Sequence, residues 1–164
     1  MRNYCCYGLF QIYYEVHKGW LAGLGVNSAS DLYDPVLNTR AALITRGQTE
    51  IRRLGLRMGA NPRTFTGLAG IGDLILTCTG DLSRNHTVGK KIGLGEKVAD
   101  ILAGMNMVAE GVKSAPTVMA LGERYGIEMP IAGDVVSVLQ GERTPRQAFR
   151  GLLKSTVGAE SEPG

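Results

Sequence analysis

Long apolar runs, a cysteine framework and blocks of like charge are all missing from this 164-residue chain, and each absence removes a class of protein. No apolar run reaches the roughly 20 residues of a membrane-spanning helix. The first residues have neither the basic start nor the unbroken apolar run of a secretion signal. Three cysteines occur, Cys5, Cys6 and Cys78. Two are adjacent and no CxxC pair exists. An odd count without a framework fits a reducing compartment better than a secreted disulfide scaffold. His17 and His86 are the only histidines and complete no metal-ligand spacing with the cysteines. Aromatic residues are scarce at 6%, and the densest basic clusters are the pairs Arg52-Arg53 and Lys90-Lys91, which read as solvated helix faces. A nucleic-acid surface needs a basic face with stacking rings, so the net charge of +3 is better matched by a small anionic ligand. The expectation is a cytoplasmic protein that takes a small molecule, binds no nucleic acid and no membrane, and has no metal.

What is present is one domain's worth of chain, with no internal repeat. Residues 1–36 stand apart in composition: they hold the single Trp, Trp20, and five of the six Tyr. Within them, the aromatic start suits a strand or a short apolar helix. Gly19 to Pro35 reads as loop, closed by Pro35. From there the patterns are helical. Residues 38–58 form a helix capped by Asn38 or Thr39, with Ala41, Ile44, Ile51, Leu54 and Met58 on its apolar face. Arg46, Glu50, Arg53 and Arg57 form a second, solvated and ion-paired stripe. Gly47 and Gly55 each weaken that helix by about 1 kcal/mol relative to Ala, which suggests close packing at both. Asn61-Pro62 opens a short helix, Ser83 caps another to about Lys91, and 96–103 is helical. Ser114 caps a helix with Pro116 in its first turn, apolar at Val118, Leu121 and Tyr125 and ended by Gly126. Pro130–Leu139 follows, with Val135, Val138 and Leu139 inward. Thr144-Pro145 opens the last helix, in which Ala148, Phe149, Leu152 and Leu153 pack inward. Residues 158–164 read as a disordered tail. The fold class expected is all-α.

The chemistry gathers in residues 67–85. Gly67, Gly70 and Gly72 permit a tight turn or a close approach. Asp73 follows, then Thr77, Cys78 and Thr79, then Ser83-Arg84-Asn85. An arginine beside a hydroxyl and an amide grips a phosphate well, because the guanidinium offers a bidentate fork and its neighbours add neutral hydrogen bonds. Plainer roles stand beside these. Asp73 caps a helix in such a setting about as often as it binds a ligand, Arg84 is an ordinary surface arginine, and Glu110 is a first-turn acid complementing a helix dipole. Thr77 and Cys78 read as packing residues; no base is placed to activate the thiol.

Three blocks resemble the bacterial NAD(P)-dependent glycerol-3-phosphate dehydrogenases. They are Asn38-Thr-Arg-Ala-Ala-Leu-Ile-Thr-Arg-Gly47, the stretch Gly67-Leu-Ala-Gly-Ile-Gly-Asp-Leu74 continued through Thr77-Cys78 to Ser83-Arg84-Asn85, and Val108-Ala-Glu-Gly-Val112. They keep the family's order and approximate spacing. The resemblance runs from about Leu37 to Val157 and implies that residues 37–157 are the family's C-terminal helical substrate domain, of the glycerol-3-phosphate and 6-phosphogluconate dehydrogenase type. It implies that Asp73, Ser83, Arg84 and Asn85 bind substrate, and that Arg84, Val108 and Glu110 face NAD or NADP. The implied reaction interconverts sn-glycerol 3-phosphate and dihydroxyacetone phosphate, supplying glycerophospholipid precursors.

Two family features have no match. No G-x-G-x-x-G/A nucleotide loop follows a strand, and Lys18 sits in the wrong neighbourhood, His17-Lys-Gly-Trp20, to be the family's acid-base lysine. Residues 1–36 are therefore expected to lie outside the family match, and no catalytic residue is assigned. The chain is expected to be a truncated substrate domain, inactive alone and able to self-associate. A non-catalytic helical domain that binds a phosphorylated metabolite or a protein partner is the alternative.

Overall fold

The computed structural model describes residues 18, 19, 21–105, 107 and 109–154. All the regular structure among them is helical, as the sequence patterns predict. Among these residues no helix is long and apolar enough to cross a membrane. The expected tail at 158–164 and the aromatic start lie outside the described residues.

Helix α1 spans Pro35–Arg57 and at 23 residues is about 35 Å long. It starts three residues before the sequence-based boundary. Asp34 is the cap: its Oδ1 accepts from Val36 N at 2.8 Å and Leu37 N at 2.9 Å. Pro35, expected to close a loop, instead opens the helix, where its missing N–H removes a donor that would have had no partner. Asn38, expected as a cap, is fully buried inside the helix.

The loop expected between 19 and 35 carries two short 3₁₀ turns, Ala22–Leu24 and Ala29–Tyr33. Asp31 sets the second turn. Its Oδ2 accepts from Asn27 N and Ser28 N at 2.8 and 2.9 Å, and those bonds, Asn27 foremost, hold its carboxyl below the usual range. Leu21, Leu24, Val26 and Leu32 from this stretch join Ala41, Ala42 and Ile44 of α1, and Ile71 and Ile75 beyond it, in one buried core.

The rest of the chain follows in short helices: α2 Pro62–Thr66, a π-helical turn Leu68–Gly72, α3 Asp73–Thr79, α4 Arg84–Gly93, α5 Val98–Ala103, α6 Glu110–Tyr125, α7 Pro130–Leu139 and α8 Pro145–Lys154. A second core of Val88, Ile101 and Ala109, flanked by Ile92, Met105 and Val112, joins α4, α5 and the start of α6. Gly126 ends α6 in the left-handed region at φ 65°, as a C-terminal glycine should. The start of α6 differs from expectation: it lies at Glu110, not Ser114, so Pro116 sits inside the helix. The local proline signal lost because a contact from outside the helix fixes its first turn, as described below.

Several apolar positions predicted inward are exposed: Ile51, Met58, Val135 and Phe149. Periodicity marks a face but does not say how much of it a neighbouring element covers. At Gly55 the expected close packing is present, since a Cβ there would lie 2.2 Å from the Phe65 ring. At Gly47 nothing lies within 4 Å, and packing does not require the glycine.

The main departure on α1 is Glu50. Placed by sequence on a solvated stripe, it is 6% exposed. Its Oε1 accepts from Ile131 N at 2.7 Å and its Oε2 from Ala132 N at 3.2 Å. These are first-turn donors of α7, whose own cap residue, Met129, offers no side-chain bond. Burial pushes the Glu50 carboxyl up from 4.5, against the two N–H groups and against Arg46 and Arg53. The folded protein therefore holds this proton more tightly than the unfolded chain. The stability it contributes is full below pH 4.5 and is lost as pH rises through the raised value. Thermal melts should show wild type losing more Tm than Glu50→Gln between pH 4.5 and neutrality; parallel profiles would contradict the assignment. Glu50→Ala strands two donors and should cost about 3 kcal/mol by denaturant titration.

Candidate functional site

Phe65 fixes the glycine-rich turn that opens the site. Gln48 Nε2 on α1 donates to the Phe65 carbonyl at 2.7 Å. The ring lies against Gly55 of α1, and a Cβ on Gly70 would come within 2.3 Å of the Phe65 carbonyl oxygen. Helix and turn approach each other only because both positions lack a side chain. The π-helical turn then delivers α3, anchored in the core through Ile71 and Ile75. Asp73 is exposed at the junction where the π-helical turn runs into α3, its N–H already bonded to Leu68 O and Gly70 O of that turn.

Gly80 ends α3, and a tight turn follows in which Ser83 N donates to Gly80 O at 3.0 Å. Ser83 caps α4 as predicted: its Oγ accepts from His86 N at 3.2 Å. Arg84 and Asn85 are thereby the first two residues of α4, both exposed. The Asn85 Oδ1 accepts from Gly111 N at 2.9 Å, tying the start of α4 to the start of α6. Glu110, the first residue of α6, is exposed beside this contact.

One cleft of about 560 Å³ collects Thr77, Asp81, Ser83, Arg84, Asn85 and Glu110 among its lining residues. Four of the six residues singled out by sequence therefore share a wall. Asp73 does not line this cleft. It lies four residues before Thr77, one helical turn back along the same face of α3. Val108 lies outside the described residues. Sequence reading missed Asp81, an acid in the cleft wall with no motif to mark it, and Gly111, whose signal was the glycine of the third block.

The Cys78 residue is exposed by surface area, yet its neighbours desolvate the thiol enough to push its pKa up. That is the opposite of an activated thiolate. Among the described residues no three metal-ligating side chains cluster. A larger cleft of about 860 Å³ lies between α6 and α7. It contains none of the residues singled out above, and its Arg143 is already paired with Asp134 at 2.6 Å. The smaller cleft, with a cation, a hydroxyl, an amide and a carboxylate together, is the candidate site.

Residues 16–150 match the family model described as the NAD-dependent glycerol-3-phosphate dehydrogenase C-terminus. The match takes in residues 16–36, which comparison of motifs alone had left outside. A glycerol-3-phosphate dehydrogenase (NAD(P)+) 2 from Sphingopyxis alaskensis is 65% identical over 127 residues, which are 77% of this chain and 38% of that protein. A glycerol-3-phosphate dehydrogenase (NAD(P)+) from Syntrophobacter fumaroxidans is 50% identical, over 96% of this chain and 48% of that one. The crystal structure of glycerol-3-phosphate dehydrogenase from Coxiella burnetii superposes with a TM-score of 0.69 at 38% identity, over 85% of this chain and 40% of that one. The chain thus spans less than half the length of these relatives.

The Phe65 contacts make a direct test of how the site is held. Gly70→Ala drives a Cβ into backbone and should destabilise by about 1–3 kcal/mol, whereas Gly47→Ala, in open space on α1, should stabilise by up to about 1 kcal/mol. Equal effects in chemical denaturation would remove the Phe65 contact as the reason for Gly70.

Proposed function

The chain belongs to the glycerol-3-phosphate dehydrogenase family, as the C-terminal domain, and from that premise we propose that its cleft is the phosphate end of a site for sn-glycerol 3-phosphate and dihydroxyacetone phosphate. The supporting observation is the meeting of Ser83, Arg84, Asn85 and Glu110 in one cleft at the paired starts of α4 and α6. Arg84 supplies the guanidinium fork for a dianionic phosphate. The Ser83 Oγ uses its lone pairs on His86 N, which leaves its O–H to donate. The Asn85 Oδ1 is engaged by Gly111 N, which leaves the amide NH₂ to donate. All three groups can thus act as donors, the polarity a phosphate requires. The helix starts behind them add partial positive charge.

On this reading Asp73, one turn back along α3 from the cleft, faces the substrate hydroxyls and orients the group that handles the proton on the C2 oxygen. Carbonyl reduction builds negative charge on that oxygen, so a positioned cation is what the step requires. Arg84 and Glu110 are the residues here that would hold NAD or NADP, the guanidinium toward a phosphate and the carboxylate toward ribose hydroxyls, with Val108 beside them by resemblance. Bound there, the dinucleotide supplies or accepts the hydride at C2. Leu76 and Leu82 flank the cleft at 69% and 99% exposed, and this apolar rim suits packing against the nucleotide-binding part of the enzyme. The chain alone is accordingly proposed to bind the phosphate weakly and to catalyse no turnover.

Calorimetric titration with dihydroxyacetone phosphate tests this. Weak binding that drops roughly tenfold or more in Arg84→Ala is expected, the loss of a charge-assisted contact. Equal heats from the two folded proteins would place the phosphate elsewhere.

A further inference from the structure

Asn85 does more than line the cleft; it is one half of a link between residues 26 apart in sequence. Gly111 is the second residue of α6, so its N–H has no partner within the helix, and Ala109 at the cap position has no side-chain oxygen to offer. The Asn85 Oδ1 fills that role at 2.9 Å. The approach is close enough that a Cβ on residue 111 would stand 2.8 Å from Oδ1 and 2.9 Å from Cγ of Asn85. The atoms such a Cβ would meet are the end of one flexible side chain. A methyl group there can therefore be accommodated by moving Asn85, with the backbone left in place.

The carboxamide is planar, with an acceptor at one end and a donor at the other. Committing the oxygen to Gly111 decides which end remains for the cleft. With Gly111 N holding Oδ1, the remaining end is the NH₂, a donor that attracts an anion. A flipped amide would present an oxygen, which repels an anion.

We propose that Gly111 is a positioning residue. It acts through Asn85, its N–H selecting the amide orientation and its missing side chain admitting the contact, so that the amide turns its donor end to the cleft. This inference rests on the phosphate reading above.

The test is ¹⁵N–¹H NMR on the full chain, with inorganic phosphate as the probe, for wild type, Gly111→Ala, Asn85→Ala, Asn85→Asp and the double variant Asn85→Ala with Gly111→Ala. Before phosphate is added, Gly111→Ala should shift the Asn85 side-chain NH₂ pair while the remaining spectrum stays folded. Asn85→Ala should expose the Gly111 N–H to exchange, whereas Asn85→Asp, which keeps the acceptor, should leave it protected. On titration, phosphate affinity should fall about tenfold in Gly111→Ala, and the double variant should be no weaker than Asn85→Ala alone. An Asn85 NH₂ pair and a phosphate affinity both unchanged in Gly111→Ala would overturn the proposal, as would a double variant weakened by the product of the two single effects. If wild type shows no response to phosphate while the Asn85 NH₂ pair still moves in Gly111→Ala, the phosphate reading fails and the positioning of Asn85 by Gly111 stands.

Discussion

Every helix start leaves backbone N–H groups without intrahelical partners, and in a chain of short helices such starts are frequent. The most consequential solution in this fold is the buried carboxylate of Glu50, which receives two first-turn donors of α7 from the middle of α1. The residues it joins are 81 and 82 positions apart. The C-terminal helices are thus fastened to the long first helix by a polar contact as well as by packing. Removing only one side of such a contact is costly, because donors already withdrawn from water are left unsatisfied.

The candidate site uses the same device at smaller scale. Ser83 caps its own helix locally, and Asn85, two residues on, caps the start of α6. Two helix N-termini are therefore drawn to one place by side chains that also line the cleft. The electrostatic result follows without further residues: partial positive charge from two helix starts meets a guanidinium and a hydroxyl. Glu110 and Asp81 add acids to the same wall, so the cleft carries charges of both signs.

Local signals were legible in the sequence and remote ones were not. Asn61 and Ser83 act within three residues of themselves, the range over which a residue pattern carries information. The glycine that ends α6 and the family's three blocks were equally readable. Glu50 reads as part of a solvated stripe because its partner lies on another helix. The start of α6 reads as Ser114 for the same reason, Asn85 being invisible to a local reading. The stretch 21–32 looked like loop because its apolar residues follow no single period, although Leu21, Leu24, Val26 and Leu32 enter the main core. At the site, the resemblance to the family's blocks singles out Ser83, Arg84, Asn85 and Glu110, which line one cleft. It did not reveal that Asp73 sits a turn away from their cleft, since sequence proximity on a helix says little about which wall a residue joins.

Phe65 has a consequence for how this protein can change over time. Its ring occupies the space a side chain would need at Gly55, and its carbonyl occupies the space one would need at Gly70. Those three positions are spread over two helices and a turn, and Phe65 meets one glycine with its ring and the other with its backbone. A larger residue at either glycine cannot be accepted unless position 65 shrinks or its backbone shifts, and that backbone carries the entry to the cleft. Lineages that enlarge position 55 are expected to shrink position 65 with it, whereas position 70 stays glycine whatever side chain position 65 carries.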